Sequence, residues 1–388
     1  MTMTPSTPPS GSTPSGGAVV DLAPTRRVEL VVGPGGVGKT TVAAALALRA
    51  AVAGRRTVVV TIDPSRRLAQ ALGVDGDKPA GTIVQVEHAG AILDCLVLDT
   101  QRTFDTIVRT HSPSAQAGEA MLANPIYRAM VRYLGGALEY AAIAQVHMLA
   151  AAGQHDLIVL DTPPTANAIE FLEAPAQISE VANNPAAKFL SQSGGIGMRF
   201  LGLGSGLMLK ALEAIGGGAF IGDLSRFLGD FGQVLGEFQR RAGALAGLLT
   251  SPSTGVVLTT SATDFSVREA LAFLAVLAQR GLRIDAVVLN RFDSQVPGWP
   301  GDAAVEVAVG AAATREGMTV DVKAIALRMA QLRGAVERQA NSAQRGATEL
   351  RARWPTTPVC TVARMDPPPT SVDELYALAS ALWPTVRR

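Results

Sequence analysis

The sequence predicts an α/β protein with a doubly wound, mostly parallel sheet and helical insertions. Two observations carry this expectation. Short apolar runs alternate with longer helical patterns, the arrangement that lays helices on both faces of a parallel sheet. Most of those runs are apolar at consecutive positions rather than at alternate ones, as strands buried on both faces require. They are Val28–Val32, Thr57–Ile62, Leu93–Leu98, Leu157–Leu160, Gly255–Thr260, Ala286–Leu289 and Val359–Val362. Ligands of such sheets bind beyond the carboxyl ends of the strands. The loops at Gly33, Asp63, Asp161, Ser261 and Asn290 are therefore expected to converge.

The first strand runs into Gly33-Pro34-Gly35-Gly36-Val37-Gly38-Lys39-Thr40-Thr41, which fits the phosphate-binding loop G-x-x-x-x-G-K-[ST]. The Ala-rich pattern Thr40–Ala53, closed by Gly54, supplies the helix that must follow it. In such a loop the backbone N–H groups of Gly35, Gly36, Val37 and Gly38 turn toward a β-phosphate. Lys39 neutralises β- and γ-oxygens, Thr40 offers its hydroxyl to Mg²⁺, and Thr41 continues the positive helix start. The full motif in strand–loop–helix context sets aside an unliganded Gly-rich turn. Dimeric ATPases such as ParA, MinD and ArsA carry Gly-Lys-Gly-Gly-Val-Gly-Lys-Thr-Thr here, and the early lysine reaches the partner subunit's phosphates. This chain has Pro34 at that position, which offers neither charge nor N–H. The cross-subunit charge is missing or comes from a different chain.

The second and fourth strands each deliver a carboxylate. Thr57–Ile62 ends in Asp63-Pro64-Ser65-Arg66, and Asp63 is the candidate to orient or deprotonate the attacking water. By itself Asp-Pro-Ser also reads as a helix cap; the neighbouring phosphate loop favours the catalytic role. Leu157-Ile158-Val159-Leu160-Asp161 is a Walker B pattern, whose carboxylate holds Mg²⁺ with Thr40.

In this order the motifs resemble the ArsA family of ATPases, which includes arsenite-pump and tail-anchored-protein targeting ATPases. The family's Asp-Pro-Ala-His corresponds to Asp63-Pro64-Ser65-Arg66, and its Asp-Thr-Ala-Pro-Thr-Gly-His-Thr-Leu to Asp161-Thr-Pro-Pro-Thr-Ala-Asn-Ala-Ile169. Glu170-Phe-Leu-Glu-Ala-Pro175 is similar to its Arg-Phe-Leu-x-x-Pro. Val287–Arg291 is similar to the strand whose terminal Asn recognises adenine, which points to Asn290. Arg291 beside it stacks on a base or pairs with a carboxylate. Val362–Asp373 resembles the loop over the base. The resemblance spans about Val28 to Trp383. It implies ATP, Mg²⁺, a nucleotide-driven dimer and helical insertions that respond to the γ-phosphate.

The departures point to a bacterial ArsA-like subgroup. Besides Pro34, the pattern's switch histidines are Arg66 and Asn167 here. The two cysteines, Cys95 and Cys360, form no C-x-x-C for the zinc of targeting ATPases and no arsenite-binding cluster. Members of that subgroup occur as neighbouring paralogues, so a homodimer and a heterodimer with an ArsA-like paralogue are both expectations. Arsenite transport is not carried over.

Composition limits the remaining classes. A net charge of +1 gives no basic tract for nucleic acid. Hydrophobic residues are 48% and aromatics 5%, so the core is expected from Ala, Val and Leu. Isolated cysteines fit a reducing cytoplasm. No apolar run reaches the ~20 residues of a membrane span. Residues 1–24 read as a disordered arm without a secretion signal, and 25–388 as one ATPase domain. Helical insertions are expected at about 102–153, 175–249 and 303–353. The stretch 189–231, rich in Met, Leu and Gly, supports two readings: mutual packing, which its glycines favour, and a groove for an apolar protein client. Ala324–Arg353, with Leu327, Met329, Leu332 and Val336, reads as an amphipathic packing helix.

Three functions compete. An ATP-hydrolysing switch needs Lys39, Thr40, Asp63 and Asp161, all present. A weakly active nucleotide-binding subunit that regulates a paralogue is suggested by Pro34. A positioning ATPase on DNA or membrane is opposed by the neutral charge and the absence of a basic terminal helix.

Overall fold

The computed structural model describes residues 26–63, 68, 71–72, 79–133, 136–162, 243–294, 298–365 and 367–382. Their strands form one eight-stranded sheet in the order β3-β4-β2-β5-β1-β6-β7-β8. The strands are β1 (Val28–Val32), β2 (Thr57–Thr61), β3 (Ile83–His88), β4 (Ala91–Val97), β5 (Leu157–Asp161), β6 (Thr254–Ser261), β7 (Ile284–Phe292) and β8 (Val359–Ala363). All pairings are parallel except β3 with β4. β1 lies between β5 and β6, and the chain leaves it first toward β2 and later toward β6. Strand order thus reverses around β1, where an open α/β sheet places its ligand crevice.

Every residue of β1, β2 and β5 is buried, as their unbroken apolar runs require. One face is covered by α1 (Lys39–Val52) and α9 (Val372–Leu382). Ten of the fourteen residues of α1 are buried, most of them alanines, so a short-side-chain helix sits close to the sheet. The other face is covered by α2 (Thr100–His111), α3 (Ala115–Ala123), α4 (Pro125–Tyr133), α5 (Ala137–Ala152) and α6 (Asp264–Gln279). α2 and α3 begin on side-chain caps: Asp99 accepts from the Arg102 N–H and Ser114 from that of Ala117.

The sequence reading omits β3. Only Val86 of its six residues is buried, and it pairs with β4 through a tight turn at Ala89 and Gly90, both at positive φ (51° and 78°). An exposed edge strand lacks the continuous apolar run that identifies the others.

The region 303–353 holds α7 (Asp302–Arg315) and α8 (Val322–Arg353), antiparallel neighbours. Here the packing expectation is corrected. α8 buries Ala326, Ala340, Ala343, Gly346, Ala347 and Leu350, whereas Leu327, Met329, Leu332 and Val336 are exposed. The contact face carries small residues because α8 approaches α6 closely: a Cβ on Gly346 would lie 2.8 Å from Val267 Cγ2. The N-terminal arm and nearly all of 175–249, including 189–231, lie outside the described residues. Of that insertion, residues 243–249 form a helical end that buries Leu245 and Leu249.

Candidate nucleotide-binding site

The phosphate-loop residues leave β1 at the carboxyl edge of the sheet, and two glycines are sterically required there. Gly33 (φ 151°) passes so close to β6 that a Cβ would sit 1.9 Å from the Thr259 carbonyl oxygen. Gly38 (φ 95°) caps α1, and a Cβ there would lie 2.3 Å from Asn290 Nδ2. That amide donates to the Val37 carbonyl at 2.7 Å, so β7 holds the loop directly. Asn290 Oδ1 accepts from the Arg291 N–H, and Arg291 is exposed with φ 53°. The register between β7 and β8 shifts between Leu289 and Phe292, the kind of irregularity that re-aims a side chain.

Lys39 is buried, and its Nζ donates to the Pro34 carbonyl at 2.8 Å, across the concavity of the loop. Gly35 and Gly36 are exposed at its mouth, Val37 is buried beneath it, and Thr41 is half-buried in the first turn of α1.

Asp161 ends β5 beside the start of α1. Its Oδ2 accepts from Thr40 Oγ1 at 2.7 Å and from Thr61 Oγ1 at 3.0 Å. Its Oδ1 is buried with no hydrogen-bond partner among the described residues. Burial pushes the Asp161 carboxyl up to about 6, against the hydroxyls of Thr40 and Thr61 and the Lys39 charge, which favour ionisation. Asp63 is half-buried one residue beyond Ile62, and its N–H donates to Thr61 Oγ1 at 3.3 Å. Thr61 therefore joins the ends of β2 and β5, bonding the Asp161 side chain and the Asp63 backbone.

The structure thus brings Gly35–Thr41, Asp63, Asp161 and Asn290 to one edge around the loop. Ser261 shares that edge but is used locally: its hydroxyl bonds Ser266 Oγ in the cap of α6. The continuations after both carboxylates, 64–67 and 163–169, lie outside the described residues. Sequence reasoning missed Thr61. The signal was a hydroxyl closing a strand after three consecutive valines, two residues before the carboxylate.

The donors at this edge suit a small hard cation. A hydroxyl and a carboxylate with one unpartnered oxygen are oxygen donors, and Mg²⁺ takes one or two such ligands while water and phosphate fill the rest. Among the described residues no cluster of three or more His, Cys, Asp or Glu offers a self-sufficient metal cage. Among the described residues no helix is long and apolar enough to cross a membrane.

Comparison with known proteins agrees with this geometry. An uncharacterized protein of Streptomyces coelicolor is 36% identical over 152 residues, covering 39% of this chain and 38% of that protein. Protein Rv2184c of Mycobacterium tuberculosis is 34% identical over 167 residues, 39% of this chain and 37% of its own length. ATPase BagA of the same organism is 29% identical over 184 residues, 44% of this chain and 53% of its own. In each case the match spans well under two thirds of the relative. A family model, the ArsA-type anion-transporting ATPases, matches residues 26–296, which include every element around the loop. The chain belongs to the ArsA ATPase family.

Proposed function

We propose that this chain is a Mg²⁺-dependent, ATP-binding and ATP-hydrolysing switch that works as a dimer and couples its nucleotide state to movement of a helical subdomain. The observation that carries the reading is Asp161: a buried carboxylate clamped by Thr40 and Thr61 at the foot of the loop, with one oxygen left over. Leaving a buried acceptor unpaired costs roughly 1–3 kcal/mol, and a bound cation and its water remove that cost.

In this reading the loop N–H groups bind the β-phosphate, and Lys39 exchanges the Pro34 carbonyl for phosphate oxygens. Thr40 and Asp161 would hold Mg²⁺, which would supply charge neutralisation to the phosphates. Asp63 positions the attacking water and accepts its proton. Asn290, already bonded to the loop, recognises the base in this reading, with Arg291 at its side. In this reading the γ-phosphate drives movement of the helical insertions; the stretch 189–231 either packs on itself, as its glycines favour, or offers a groove to a protein client.

Isothermal titration of ATP with and without Mg²⁺ tests the metal assignment. Asp161→Asn should remove most of the affinity gained from Mg²⁺ while leaving Mg²⁺-free binding within a few-fold. Equal Mg²⁺ enhancement in both proteins would refute it.

A second reading rests on Pro34. With no cross-subunit charge, the chain binds nucleotide, turns over weakly and regulates a paralogous ArsA-like subunit that carries the lysine. Hydrolysis measured alone and with that paralogue separates the two.

A further inference from the structure

Thr61 closes β2 directly beside Asp161, its register partner in the neighbouring parallel strand β5. The residue is buried, and its hydroxyl has two partners with opposite demands. The Asp63 N–H can only donate, so at 3.3 Å the Thr61 oxygen accepts from it. The single hydroxyl proton is then left for Asp161 Oδ2, at 3.0 Å. Thr40 Oγ1 donates to the same Oδ2 at 2.7 Å, so two hydroxyls hold one oxygen and Oδ1 stays unpartnered among the described residues.

The backbone around this carboxylate is pinned on both sides. The Thr61 carbonyl accepts from the Leu98 N–H at 2.9 Å. Thr162, next after Asp161, gives the Val31 carbonyl both its N–H (3.2 Å) and its hydroxyl (2.9 Å). With both strand ends fixed, Asp161 answers a ligand by turning its side chain. Thr61 is stiff at χ1, so its oxygen stays in place while its proton follows the Asp161 oxygen. Hydrogen bonds in such a chain polarise one another, and a change at the carboxylate reaches the Asp63 N–H through one hydroxyl.

We propose that Thr61 is a positioning residue that ties the two carboxylate-bearing strand ends together, linking the side chain of Asp161 to the backbone of Asp63. The roles of Asp161 and Asp63 are those of the proposed function, on which this inference rests; the linkage itself needs no nucleotide. In that reading Thr40 and Asp161 meet the cation, whereas Thr61 donates to Oδ2 and stands behind it. Its hydroxyl keeps Oδ1 as the oxygen left over and fixes the start of the segment that carries Asp63. Serine supplies the same donor and acceptor. Valine keeps the branched shape and suits a strand, yet neither donates nor accepts.

The test is residue-resolved hydrogen exchange at the Asp63 amide in the purified full chain without nucleotide, beside steady-state ATP hydrolysis. Thr61→Val should speed exchange there roughly fivefold or more, and Thr61→Ser should stay near the wild type. Asp161→Ala, which leaves Thr61 in place but removes the acceptor of its proton, should also speed exchange at Asp63. Thermal melts verify that each variant is folded. In hydrolysis, Thr61→Val should lower kcat roughly tenfold with the KM for ATP within about threefold, and serine should recover most of the loss. An Asp63 amide that exchanges alike in the wild type and Thr61→Val overturns the proposal. So does one that keeps its protection in a folded Asp161→Ala protein, or a serine variant as slow as valine. A wild type that hydrolyses no ATP, with the exchange pattern as expected, would sink the functional reading and leave the linkage standing.

Discussion

At the residue scale, ionisable groups are buried at both ends of the sheet for different reasons. Asp161 at the carboxyl edge is held by Thr40 and Thr61 and has a use for its free oxygen. Glu29, early in β1, is fully buried and neither carboxylate oxygen has a hydrogen-bond partner among the described residues. Burial, then the nearby Asp285 charge, hold its carboxyl well above the usual range, against the Arg26 and Arg55 cations. Arg26 is committed to Asp285, with two hydrogen bonds of 2.7 Å. A raised folded value means the native state binds the extra proton. The stabilisation is complete below the unfolded value, near 4.5, and is lost as pH rises through the folded one. Glu29→Gln should therefore match the wild type in acid and melt progressively higher than it as pH rises. Parallel melting curves with a constant gap would contradict this assignment.

At the element scale, α8 contains the same residue type under opposite demands. Gly346 faces Val267, and a Cβ at 2.8 Å from a stiff β-branched side chain forces a shift. Overpacking of about 1–3 kcal/mol outweighs the ~1 kcal/mol that alanine gains in a helix, so Gly346→Ala should destabilise. Gly334, earlier on the same helix, meets only the far end of Arg338 at 3.4 Å; Gly334→Ala should stabilise by roughly 0.5–1 kcal/mol. Chemical denaturation of the two variants checks both signs. The same helix shows how far the sequence could be read. Its helicity was legible, but a 3–4 residue apolar spacing cannot say whether the stripe meets this chain's core or another surface. The seven buried strands were legible because each carries a contiguous apolar run, and β3 was not because an edge strand needs none. In the site, Lys39, Thr40 and Asp161 were legible from motif spacing. The Thr61 clamp and the Asn290 bond to Val37 depend on β2 lying beside β5 and on the phosphate loop reaching the end of β7, pairings no local pattern encodes.

At the scale of the whole molecule, one edge of the sheet carries the nucleotide-binding residues that the proposed function requires. The phosphate loop, both carboxylates and Asn290 gather where strand order reverses. In the proposed self-sufficient reading, Pro34 offers no charge to reach across, so transition-state charge would rest on Lys39, Mg²⁺ and the loop N–H groups of the same subunit. Turnover should be slow but intrinsic.

Mg²⁺-dependent ATP hydrolysis by the purified chain, beside its Lys39→Ala and Asp63→Asn variants, tests this account most directly. The account predicts measurable turnover by the wild type alone. It also predicts ATP binding weakened tenfold or more in Lys39→Ala, about 2 kcal/mol for a lost charged partner. Asp63→Asn should retain binding with turnover reduced roughly 10²-fold or more. A wild type that binds ATP but hydrolyses none, or an Asp63→Asn protein as fast as the wild type, would contradict it.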